Sequence, residues 1–165
     1  MAAGLLSRVR RLPPRERALL AAAWLTLAVS PLALCLVPFR RLRDWAESET
    51  TSRRRADTAT PERVAALVEA AARHHLVGTT CLARALVLCR LLRRRGEAAR
   101  LVIGGTWKGG TKVPGAFEAH AWVACGDLAL TAGGPIDRFE ILLIGGEVSG
   151  EQRRPLPPDL TPIRK

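Results

Sequence analysis

The sequence predicts an α+β fold, with helices packed against a short antiparallel sheet. Its 165 residues, 48% of them hydrophobic, are enough for one ordinary core. Two segments carry apolar residues at helical spacing, and the segments behind them read as short strands separated by glycine-rich turns.

Taken in order, residues 1–49 form an N-terminal apolar helical region. Residues 18–39 hold no charged side chain, and Arg15, Arg17, Arg40, Arg41 and Arg43 stand on both flanks. A bilayer span needs about 20 apolar residues, so length permits one. Pro31, Pro38 and the even distribution of basic flanks point instead to two helices broken near Ser30 and Pro31, packed on the rest of the protein or lying along a membrane surface. A secretory signal fits poorly, because no small-x-small cleavage site leads into a polar start. Residues 50–60 are a polar linker. It closes on Thr60, Pro61 and Glu62, which supply the cap, first-turn proline and acidic first turn of a helix.

That helix runs from Pro61 to about His75 and buries Val64, Leu67, Val68 and Ala71. His74 and His75 close it, where the helix dipole favours a positive ring. As metal ligands they diverge, and no third ligand sits at a useful spacing. The next helix follows Thr79 and Thr80, either of which can cap it. It buries Leu82, Ala85, Leu86, Cys89 and Leu92, and ends in three arginines and Gly96 as the left-handed terminator. Strands are expected over 99–107, 116–125, 128–131 and 139–146, with a loop over 108–115 and a turn at Gly126-Asp127. Residues 61–146 make up the expected core unit. Residues 147–165, rich in proline and arginine, form a tail that packs as neither helix nor sheet.

Composition narrows the function classes. The formal charge of +11 ordinarily suggests nucleic acid or an anionic membrane. Here 23 arginines stand against 3 lysines and alanine is abundant, a pattern that coding bias also produces. With no tyrosine and few aromatics, base-stacking platforms are not in view, and nucleic acid is not the expected partner. The four cysteines are scattered and form no C-x-x-C pair, which points to a reduced, cytoplasmic protein.

One cysteine stands apart. Cys81 falls in the first turn of its helix, where free amides and the dipole favour an anion and so a nucleophilic thiolate. Cys89, two turns deeper on the apolar stripe, reads as a small hydrophobe. The partner comes from "AFEAHAWVAC", a strand in which Glu118, His120 and Trp122 share one face by alternation. An imidazole on a rigid strand can serve as general base toward a thiol on a neighbouring helix.

The blocks "CLARALVLCRLLRRRGEAARLVIGG" and "FEAHAWV" resemble the stand-alone protease part of the lasso-peptide biosynthesis B proteins, over about residues 61–143. The apolar helix and "PFRRLR" are similar to the amino-terminal region of such proteins. The resemblance implies a transglutaminase-like, papain-like cysteine-peptidase fold, with no cofactor and no metal. It implies removal of the leader from a precursor peptide, with Cys81 as nucleophile and His120 as base. The family's acid aligns with Ala132, so the third role falls to Asp137 or Asp127, or to a substitute such as the Thr131 hydroxyl. By the same resemblance, a separate leader-recognition protein delivers the substrate, and a macrolactam-forming cyclase takes the product. The apolar region then serves as a docking surface for that protein or as a peripheral membrane contact. The competing expectations are a catalytically impaired binding module and a membrane-associated accessory protein.

Overall fold

The computed structural model describes residues 9–48, 59–76, 78–107, 116–131, 136 and 139–145. The longer elements among the described residues are, in chain order, the helices α1 (Pro14–Leu36), α2 (Phe39–Glu47), α3 (Pro61–Arg73) and α4 (Cys81–Arg93), then the strands β1 (Ala99–Trp107), β2 (Phe117–Cys125), β3 (Leu128–Thr131) and β4 (Glu140–Ile144). The strands form one antiparallel sheet in the order β3-β2-β1-β4. This is the expected α+β arrangement. The linker over 50–58, the loop over 108–115 and the tail lie outside the described residues.

The expected break near Ser30 and Pro31 is absent, and α1 runs unbroken through Pro31. Proline has no N–H to offer the carbonyl of Leu27, which would leave that acceptor empty. The Ser30 hydroxyl donates to it instead, at 2.8 Å. The chain breaks at Val37, which takes an extended conformation (φ −108°, ψ 129°) ahead of Pro38, as a residue before proline prefers. Pro14–Leu36 is long and apolar enough to cross a membrane, with a mean hydropathy of 2.1 in its most apolar window. It nevertheless docks on the body, burying Ala23 and Leu27 completely and setting Trp24 against the His75 ring at 5.0 Å.

Caps and terminators are where the sequence puts them. The Thr60 hydroxyl accepts from the Arg63 amide, and Gly96 takes φ 84° after the arginines. Those arginines do more than face the helix dipole. Arg93 donates to the carbonyl of Glu47 at 2.8 Å, Arg90 to the carbonyl and hydroxyl of Ser48, and Arg95 to the carbonyl of Ala59. The C-terminal turn of α4 therefore holds the end of α2 and the approach to α3.

The sheet has two differently filled faces. Leu101, Ala121, Val123, Cys125 and Leu130 face the helices and join the main core. Val102, Trp122, Ala124 and Phe139 form a smaller cluster on the other face. Between sheet and helices sits one buried carboxylate, Glu47, whose Oε1 accepts from the Leu101 amide at 3.0 Å. It thereby satisfies a backbone donor one residue before the β1–β4 ladder starts at Val102.

Replacing Glu47 with alanine strands that amide in the core and is expected to destabilise the protein by about 1–3 kcal/mol. Glu47→Gln keeps an acceptor and recovers most of the loss. Denaturant unfolding of both variants beside the parent protein measures the difference.

Candidate active site

Cys81 is the first residue of α4 and is half-buried. Of the two threonines before it, Thr80 is the cap, its hydroxyl accepting from the Ala83 amide at 3.2 Å and its carbonyl from the Arg84 amide at 3.1 Å. Thr79 has a different task. Arg84 reaches back one turn and donates from Nε to the Thr79 hydroxyl at 2.9 Å and from Nη2 to the Thr79 carbonyl at 3.1 Å. Its Nη1 lies 3.5 Å from the Glu69 carboxylate of α3. The planar fork thus fixes the backbone that delivers Cys81 and ties it to a second helix. The amides of Cys81 and Leu82 have no hydrogen-bond partner among the described residues. They point along the opening end of the helix, ready to receive negative charge.

His120 lies in β2 opposite Gly104 of β1. The expected alternation holds, and the imidazole leaves the strand on the side of Trp122. Its ring lies nearly parallel to Phe139, with centroids 5.3 Å apart, and to Trp122 at 6.3 Å. Gly104 makes this packing fit. A Cβ there would come within 2.7 Å of the Trp122 ring and 2.8 Å of Phe139.

Helix and strand lengths bring Cys81 and His120 to one level. The Cys89 thiol donates to the Ala99 carbonyl at 3.8 Å, which ties the middle of α4 to the start of β1. From Cys89 back to Cys81 the helix rises about 12 Å. The same distance along the sheet is between three and four residues. It ends at the rung of Ile103 and Ala121, next to that of Gly104 and His120. Cys81, Leu82 and Ile103 all pack against the main core, consistent with that level. The helix lies on the Ala121 side of β2 and the imidazole leaves on the other. The β2–β3 ladder spans only Trp122 to Cys125 on β2, so among the described residues no strand pairs with the outer flank of β2 at His120. The thiol-bearing helix and the imidazole thus stand on opposite faces of β2, beside that unpaired flank.

The two aspartates fare differently. Asp127 sits exposed in the turn beyond Cys125, at the far end of β2. Five strand residues, about 16 Å, separate His120 from the last residue before that turn. Asp127 is therefore corrected from the expected set: its carboxylate belongs to the opposite end of the sheet. Asp137 and Ala132 lie outside the described residues, as does the Thr131 side chain. Arg84 was visible in the sequence as part of the quoted cysteine block. Nothing in its spacing announced the clamp on Thr79, because Thr79 lies five residues back and outside the helix, where the rules for neighbours on a helix face do not reach.

A scan of protein families returns one model, that of the transglutaminase-like superfamily, over residues 23–143. The chain belongs to the transglutaminase-like superfamily. Comparisons with curated proteins and with solved structures return no match. The region matched begins inside α1 and ends in β4, so it takes in the later part of the apolar helix together with Cys81 and His120. An α+β unit with a helix-start thiol and a strand imidazole is consistent with cysteine-peptidase chemistry. No group of three or more His, Cys, Asp or Glu side chains among the described residues is placed to hold a metal ion.

Two of the other thiols, Cys89 and Cys125, are buried. Burial, with the Glu47 charge adding to it, pushes the Cys89 thiol up to about 12, and burial raises Cys125 as well. At neutral pH a thiol alkylating reagent is expected to label Cys81 and the exposed Cys35 while sparing Cys89 and Cys125, as read by peptide mass spectrometry. The upward shift of Cys89 also has a sign. The fold favours the protonated thiol, so this contribution is fully present below the ordinary thiol value of 9.0 and is lost as pH rises toward about 12. Unfolding measured across that alkaline range should show a loss of stability that Cys89→Ala flattens.

Proposed function

We propose that this protein is a cysteine peptidase that removes the leader from a ribosomally made lasso-peptide precursor. The observation that carries the reading is the clamped start of α4. There a half-buried thiol occupies the first helical position, and the Arg84 fork on Thr79 holds the backbone that delivers it. The substrate class is supported by the sequence resemblance.

His120 takes the proton from the Cys81 thiol, and the thiolate attacks the carbonyl at the leader–core junction. The amides of Cys81 and Leu82 receive the developing oxyanion. The C–N bond breaks, leaving the leader on Cys81 as a thioester while the core amine departs with the proton from His120. Water then hydrolyses the thioester, and the freed amine is available to a cyclase. Asp137 is the acid that orients the imidazole. Support comes from Ile136 and Phe139, which bracket it in sequence and pack in the cluster on the His120 side of the sheet. A separate recognition protein delivers the leader.

A second reading has one observation in its favour. The imidazole is clasped between aromatic rings on the side of β2 away from the helix, which suits a binding module that has given up catalysis.

Mass spectrometry of a precursor peptide incubated with the protein and its recognition partner separates the two. Cys81→Ala and His120→Ala are expected to abolish leader removal with the fold intact, and Asp137→Asn to slow it by about 10³- to 10⁴-fold. Undiminished cleavage by Cys81→Ala ends the peptidase reading. Loss of the Arg84 fork acts indirectly. Arg84→Ala should cut kcat about 10- to 100-fold through misplacement of the thiol. Arg84→Lys, which keeps the charge toward Glu69 but not the fork on Thr79, should rescue little, and KM should change less than kcat.

A further inference from the structure

Helix α1 is apolar on every side, yet the protein covers only one of them. A helix of that kind belongs in a core or in lipid. Ala23 and Leu27 are fully buried against α3 and α4, whereas Leu25 is 62% exposed, Leu32 64% and Leu36 72%. The outward stripe runs through Ala18, Ala21, Leu25, Ala28, Leu32 and Cys35, at alternating spacings of three and four, with no charged residue in it. Two grooves flank it. One of about 710 Å³ lies against α3 with Arg17 and Leu25 in its wall, and one of about 340 Å³ lies against α2 with Val29, Arg41 and Trp45.

Charge selects the occupant. Arg10, Arg11, Arg15 and Arg17 are exposed at one end of the stripe, and Arg40 and Arg41 at the other. The acidic residues nearby are neutralised, Glu16 by Arg63 at 2.7 Å and Asp44 by Arg43 at 3.1 Å. An apolar stripe about 26 Å long with exposed arginines near both ends suits a helix lying along an anionic surface, its leucines among the acyl chains and its arginines at the headgroup phosphates. Crossing the bilayer would require α1 to pull Ala23 and Leu27 out of the core and Glu16 away from Arg63. We propose that α1 lies in the plane of an anionic phospholipid membrane, with its Leu25–Leu32 face in the lipid and the peptidase unit held above it.

The test uses the full chain and vesicles of phosphatidylglycerol and phosphatidylcholine in equal parts, beside vesicles of phosphatidylcholine alone. The protein should co-sediment with the anionic vesicles only, and high salt should weaken binding about tenfold or more. The double variant Leu25→Glu/Leu32→Glu should bind at least about tenfold less while unfolding at the same temperature as the parent, since both side chains face outward. Arg40→Glu/Arg41→Glu should lose the preference for anionic vesicles. Failure to sediment with anionic vesicles, equal binding by the double glutamate variant, or retention that salt does not touch overturns the proposal. So does a double glutamate variant that binds vesicles normally but no longer accepts the leader-recognition protein, because the face then belongs to that protein.

Discussion

The site depends on a match of lengths. α4 and β1 are joined by a tight turn, so the position of Cys81 over the sheet is set by how far thirteen helical residues reach back against strands that advance twice as fast per residue. The Cys89–Ala99 contact fixes one end of that measure and the Arg84 fork on Thr79 fixes the other. A helix one turn shorter or longer would carry the thiol off the His120 rung by about 5 Å. Packing of the apolar stripe on Ala121 and Val123 keeps the helix from sliding, because close-packed side chains resist such shifts.

The same sheet serves two purposes through its two faces. The helix face supplies ordinary hydrophobic stability, with Leu88, Leu92, Leu101 and Val123 fully buried. The opposite face is narrower and aromatic, and its main effect is on one ring. Trp122 two residues along and Phe139 across the strand limit the rotamers open to His120, and Gly104 provides the space that both rings occupy. Stacking of this kind holds the plane of the imidazole, and with it the direction in which its ring nitrogens point.

Much of this could be read from the sequence, for physical reasons that differ by element. Helix starts were legible because threonine caps and a first-turn proline act locally, and Thr60 and Thr80 do what their positions predict. The strand partition was legible because alternation put His120 and Trp122 together before any pairing was known. Pro31 misled, since whether a proline breaks a helix depends on who takes the orphaned carbonyl, and the Ser30 hydroxyl does so. Asp127 misled because nearness in sequence to His120 hides the length of an intervening strand. The Glu47–Leu101 bond joins residues 54 apart, and no local pattern encodes it.

Helix α1 shows how a segment can belong both to a fold and to its surroundings. A simple anchor would contribute nothing to the core, yet Ala23 and Leu27 lie in the cluster that also holds Leu86 and Leu88 of the thiol-bearing helix. The groove against α2 is floored by Ala83, Leu86 and Val87, so whatever rests on the outer face of α1 lies one side-chain layer from the first turns of α4. A purely structural helix would gain by turning leucines inward and placing arginines along its outer face. This one has arginines only in its first turn, at Arg15 and Arg17, and the next ones stand beyond it in α2, at Arg40 and Arg41. That arrangement costs solubility in water and makes sense only where the outer face has something apolar to rest upon.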